Sequence, residues 1–90
     1  MNIQRKIVVR GKVQAVGFRS ATRRKAMELM IRGSVRNLDD GSVEILASAT
    51  GKEFIIFENW CRVGPSYARV DRLEISELDQ TGFTDFSIDD

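Results

Sequence analysis

Seven glycines and one proline divide this chain into short pieces, and the spacing of apolar residues changes from piece to piece. That change of period restricts the fold more than any other feature. A two-residue period lies on a sheet, and a 3.6-residue period lies on a helix. Arg5 to Arg10 (RKIVVR) is β-branched in its middle and reads as a strand. Gly11 to Gly17 (GKVQAVG) is a glycine-bounded loop. From Ser20 to Met30, the residues Thr22, Ala26, Leu29 and Met30 continue from Phe18 at helical spacing. Arg23, Arg24 and Lys25 take the wet side of that helix, and Gly33 stands where a C-terminal cap belongs. Ser34 to Leu38 and Ser42 to Ser48 read as an antiparallel pair joined by an Asp39-Asp40-Gly41 turn. Thr50-Gly51 opens a helix over Lys52 to Val63, striped by Ile56, Phe57, Trp60 and Val63, and Gly64-Pro65 ends it. Ala68 to Leu78 and Phe83 to Ile88 are two further strands around an Asp79 to Gly82 loop.

The order is β-α-β-β-α-β plus a C-terminal strand. It predicts an α+β, split β-α-β sandwich of the ferredoxin-like kind, with two helices on one face of an antiparallel or mixed sheet. Right-handed crossovers place both helices on the same side. Phe57, Trp60 and Phe86 are expected in the core. Ninety residues hold one such core, so residues 1–90 are expected to form a single domain. With 42% hydrophobic and 30% charged residues, the composition is globular. The longest run without a formal charge, Ile45 to Gly51, is far short of the roughly 20 residues of a membrane span. The opening MNIQRKIVVR is charged on both sides of a short apolar run, unlike a signal peptide. Cys61 has no second cysteine to pair with, so a reducing cytoplasm is the expected compartment. It reads as a small, half-buried hydrophobe without a base partner.

There is no histidine. That removes Ser-His and Cys-His nucleophile pairs, histidine general bases and His-containing metal sites. Charge is unevenly spread. Residues 1–36 hold ten Lys/Arg and one acid, for a sum of +9, and residues 37–90 sum to −8, which together give +1. A basic N-terminal third points to an anionic partner unless the fold interleaves the two halves.

The segment with chemical content is Gly11 to Arg19, GKVQAVGFR, between the first strand and the first helix. Such a loop can turn successive backbone N–H groups inward around an anion, and the helix N-terminus adds partial positive charge. Arg19, at the helix start, can grip two phosphoryl oxygens with its guanidinium fork. The loop lacks the Lys-Ser/Thr ending of a P-loop and the G-x-G-x-x-G spacing of a dinucleotide site. From spacing alone it serves as an oxyanion site or as a structural turn.

These residues resemble the acylphosphatase signature, Gly-[Arg/Lys]-Val-Gln-Gly-Val-x-[Phe/Tyr]-Arg. The similarity continues through Ala26, Gly33, Val35 and Asn37 to Asp40-Gly41-Ser42-Val43. It resumes at Phe57, Trp60, Gly64-Pro65, Ala68-Arg69-Val70 and Thr84-Asp85-Phe86, so that it covers roughly residues 6–88. The resemblance implies hydrolysis of the carboxyl–phosphate bond of small acyl phosphates, without metal or cofactor. It implies that the backbone amides of Gln14, Ala15, Val16, Gly17, Phe18 and Arg19 cradle the phosphate. It also implies that the Arg19 side chain clamps the phosphate and that Asn37 orients the attacking water. Partners are then acyl phosphates and inorganic phosphate, with neither nucleic acid nor membrane, and a monomer suffices. Two positions depart from the pattern. Ser34 replaces an aromatic residue, and Ala15 replaces a glycine whose place needs either a positive φ or the absence of a side chain.

Two other readings compete. The same fold class includes RNA-recognition domains, but RKIVVR and SVEILAS carry none of the aromatic residues on which bases stack. The second is an acylphosphatase-like domain that binds acyl or carbamoyl phosphate, or a protein, with little turnover. Without the resemblance, Asn37 would be a strand-end turn residue. Lys12, Arg23, Arg24, Lys25, Arg32 and Arg36 read as solvated faces.

Overall fold

In the computed structural model, which describes residues 1–89, seven elements follow one another. They are β1 (Ile3–Lys12), α1 (Phe18–Glu28), β2 (Arg32–Asn37), β3 (Val43–Ala49), α2 (Gly51–Val63), β4 (Arg69–Glu77) and β5 (Phe86–Asp89). The strands form one mixed sheet in the order β4-β1-β3-β2-β5. β1 is antiparallel to both β3 and β4, β2 is antiparallel to β3, and β5 runs parallel to β2. This is the ferredoxin-like sandwich expected from the element order. β3 shows why the alternation was readable: Val43, Ile45, Ala47 and Ala49 are buried in the core, while Leu46 and Ser48 are only half-buried. Phe18, Thr22 and Ala26 from α1 and Phe54, Phe57 and Cys61 from α2 are buried against this face. The opposite face carries charge, with Glu44 of β3 held between Arg36 (2.9 Å) and Lys6 (3.9 Å).

Several local expectations are corrected. β1 continues through Gly11 and Lys12, where its register against β4 slips between Arg10 and Gly11, so the loop proper starts at Val13. Gly33 is not a helix cap. α1 ends at Leu29, Met30 takes the left-handed φ of 59°, and Gly33 lies inside β2. A Cβ on Gly33 would lie 1.8 Å from the Leu46 carbonyl oxygen, so the glycine is needed for strand contact. The stripe of α2 is rotated. Phe54, Phe57 and Cys61 point inward, whereas Ile56 and Val63 are exposed and Trp60 packs at the rim, stacked 6.4 Å from Phe57. Met30 is likewise exposed. Cys61 is wholly buried, and desolvation pushes its thiol far above the usual range, which removes any thiolate. β5 begins at Phe86, three residues later than the run of apolar residues suggests.

Candidate active site

The loop between β1 and α1 bends because its backbone alternates in handedness. Ala15 (φ 61°) and Gly17 (φ 78°) have positive φ, and the residues between and beside them do not. Alternation of this kind turns successive N–H groups toward one side and makes an anion-binding concavity. α1 starts directly from this bend with Gly17 at its N-cap. Its first intrahelical bond runs from Ala21 N–H to the Gly17 carbonyl, so the amides of Phe18, Arg19 and Ser20 have no helical acceptor. No side chain caps them, and the first turn contains no acid. α2 is the contrast, because there Thr50 and Glu53 close a reciprocal capping box on the N-terminal amides. One helix satisfies its own N-terminus, and the other leaves its N-terminus open toward a cavity.

That cavity has a volume of about 120 Å³ and is lined by Val13, Ala15, Gly17, Phe18, Arg19, Ser20, Asn37 and Ile88. It is far smaller than the roughly 300–1,000 Å³ of sites for drug-sized ligands and suits a compact group. Arg19 and Asn37, eighteen positions apart in sequence, meet here. Asn37 is the last residue of β2, paired with Val43 across β3. Its Oδ1 atom is buried with no hydrogen-bond partner among the described residues, so a residue of the cavity wall carries one unsatisfied strong acceptor. Arg19 is half-buried and takes part in no ion pair among the described residues, while Arg5, Arg10, Arg36, Arg69 and Arg72 all do.

The side chain of Gln14 ties the two halves of the cavity together. Its Nε2 donates to the carbonyls of Leu38 (2.7 Å) and Ser42 (2.9 Å), on the turn that follows Asn37. Asp40 holds the same turn by accepting from the Ser42 N–H (3.0 Å) and hydroxyl. The Arg10 guanidinium is 3.0 Å from Asp40 and 3.0 Å from Glu74. The Ser42 hydrogen bonds, then Arg10, hold the Asp40 carboxyl well below the usual carboxylate range. Gln14 was expected for its backbone amide alone. That bridging role of its side chain is not legible in the sequence, and neither are Val13, Ser20 and Ile88 as parts of the wall. Only Ser20 left a signal, since the third residue of a helix shares the open N-terminus with the second. Of the six loop residues Gln14 to Arg19, Ala15, Gly17, Phe18 and Arg19 line the cavity, with Phe18 otherwise buried, while Gln14 and Val16 lie in the bend but not in its wall.

Three features on a ferredoxin-like sandwich together suit a small oxyanion at a helix N-terminus: open amides, an arginine outside any ion pair among the described residues, and an acceptor opposite. The acylphosphatase family model matches residues 5–88. An acylphosphatase of Methylococcus capsulatus is 43% identical over 83 residues, which covers 91% of this chain and 90% of that one. The solved acylphosphatase structure from Coxiella burnetii superposes with a TM-score of 0.92 at 34% identity, covering 98% of this chain and 93% of the other. That from Bacillus subtilis gives 0.91 at 35% identity and covers 98% of each. The chain belongs to the acylphosphatase family.

Proposed function

We propose that this acylphosphatase hydrolyses small acyl phosphates with Arg19 and the Gln14-to-Arg19 amides on the phosphate and Asn37 on the attacking water. The observation that carries this reading is the buried, unpartnered Asn37 Oδ1 in the wall of the cavity that Arg19 also lines. Water donates one O–H to Oδ1 and is held in line with the carboxyl–phosphate bond. Its oxygen bonds to phosphorus as the P–O bond to the carboxyl group breaks and the electron pair leaves with the carboxylate. The parent acid of that leaving group has a pKa of about 4, so no general acid is required. An amide does not accept a proton at neutral pH, and the water proton passes to a phosphoryl oxygen. Negative charge spread over the phosphoryl oxygens is what must be stabilised, and fixed N–H groups with one bidentate arginine do that. No step calls on histidine, thiolate or metal. The buried, lone Cys61 thiol suits a reducing cytoplasm.

The test is phosphate release from acetyl phosphate with excess chelator present. The folded protein is expected to exceed the spontaneous rate and to be inhibited competitively by inorganic phosphate. Arg19→Lys should weaken phosphate inhibition and nearly abolish turnover, because a point charge replaces a fork. Asn37→Ala should lower kcat by a factor of about 100 or more and leave phosphate inhibition nearly unchanged, because it removes orientation of the water. Release no faster than the spontaneous rate would end the enzymatic reading in favour of a binding domain.

A further inference from the structure

The cavity does not end at Arg19. Ser20 and Ile88 are shared with a second, more open hollow of about 360 Å³, whose remaining walls are Arg23, Arg24 and Met27. Arg23 and Arg24 follow Arg19 and Ser20 by four residues, so they stand on the same side of α1, about 6 Å farther along its axis. α1 contains four basic residues and only one acid, Glu28, which pairs with Lys25 at 3.5 Å. Among the described residues, neither Arg23 nor Arg24 lies within 4.0 Å of a carboxylate. Most basic side chains of β1 and β4, in contrast, find one. Arg23 uses one N–H, at Nε, to donate to the Phe86 carbonyl at 3.0 Å, which aims the group without neutralising it. Asp89 accepts from Ser87, and Asp85 shares with Arg23 a separate hollow that Met30 and Arg32 also line, without coming within ion-pair distance of Arg23. Arg19 and Arg23 are like charges at i,i+4 near a helix N-terminus. Both features destabilise an isolated helix, and an anion in the hollow offsets them.

We infer that this hollow seats the acyl part of the substrate and that Arg23 and Arg24 select acyl phosphates carrying a second anionic group. The inference rests on the proposed phosphate site. A phosphate held by Arg19 and the loop amides directs its acyl chain along α1, over the apolar surfaces of Ile88 and Met27. A carboxylate or phosphate one helical turn away then reaches the two unpaired guanidinium groups. Arg24, exposed and without a hydrogen-bond partner among the described residues, is free to close on it. The residues select among substrates and take no part in bond breaking.

The experiment compares acetyl phosphate with succinyl phosphate, the monoacyl phosphate of a four-carbon diacid. It measures kcat/KM for each with the full-length protein and with Arg24→Gln and Arg24→Glu. The readout is the ratio of the two kcat/KM values. It should favour succinyl phosphate in the parent protein, fall about three- to tenfold in Arg24→Gln, and fall further in Arg24→Glu, chiefly through KM. Raising salt to 1 M, where the Debye length is about 3 Å, should flatten the difference between parent and variants. A ratio unchanged by either variant, including an equal loss on both substrates, would overturn the inference and leave the phosphate site standing. If the parent hydrolysed neither substrate, the underlying functional reading would fall and the inference with it.

Discussion

Ala15 holds a left-handed backbone conformation, φ 61°, in the middle of the loop between β1 and α1. A residue with a Cβ loses about 1–2 kcal/mol there relative to the right-handed region. Its side chain is exposed, so no part of the protein crowds this position and the demand the fold makes on it is conformational. Glycine meets that demand without strain, which explains the family pattern at this place. The positive φ belongs to the folded loop, and the unfolded chain does not carry that strain. Ala15→Gly is therefore expected to raise stability more than activity. Relief of strain is partly offset by about 0.4–1 kcal/mol of added unfolded-chain entropy, leaving a gain on the order of 0.5 kcal/mol. Thermal unfolding should shift upward by a few degrees at most, and kcat/KM should change by less than about threefold. A tenfold rise in kcat/KM, with Tm unchanged, would mean that the free loop relaxes away from the binding conformation.

The two helices show what a sequence pattern carries and where it stops. The start of α2 was legible because Thr50 and Glu53 are three residues apart, and the box they form uses only local atoms. Thr50→Ala removes the acceptor for the Glu53 N–H and should destabilise the fold by about 1 kcal/mol, lowering Tm by roughly 4–8 °C. Because the box is remote from the cavity, phosphate inhibition should not change, and differential scanning calorimetry beside an inhibition assay separates the two effects. The inward face of α2 was less legible. Phe54, Ile55, Ile56 and Phe57 are consecutive apolar residues, so two helical stripes share Phe57, and the sheet beneath decides between them. At the end of α1, Gly33 resembles a cap, yet contact with the Leu46 carbonyl claims it for β2 and leaves the left-handed turn to Met30. The site divides in the same way. Arg19, Asn37 and the loop were legible from a contiguous motif and a strand end. The Gln14 side chain that joins them bonds to carbonyls 24 and 28 positions away, a distance no local pattern spans.

Across the whole molecule, the fold joins the +9 and −8 parts of the chain by ion pairs from four of the ten basic residues of the first part. Arg5 meets Glu58, Lys6 and Arg36 meet Glu44, and Arg10 meets both Asp40 and Glu74. The basic residues of α1 outside any ion pair among the described residues are those that line the candidate cavity and its extension. The Arg10 group also sets an acid limit on the fold. Its guanidinium, with that of Arg72, holds Glu74 below its ordinary value, and the Ser42 hydrogen bonds with Arg10 hold Asp40 lower still. Both carboxyls thus have folded-state values below their unfolded ones. Their contribution to stability is present above the unfolded carboxylate range, near pH 4, and is lost as pH falls through the folded values. Protonation also strips negative charge from a chain with fourteen Lys/Arg, which adds repulsion in the same direction. The urea midpoint should therefore be nearly flat from pH 7 to about 5 and fall below about pH 4. Asp40→Asn keeps an acceptor for Ser42 but no longer titrates. It should start from a lower midpoint at pH 7 and lose less of it on acidification. Equal losses in the parent and the variant between pH 5 and pH 2.5 would show that Asp40 does not set the acid limit, leaving general charge repulsion as its cause.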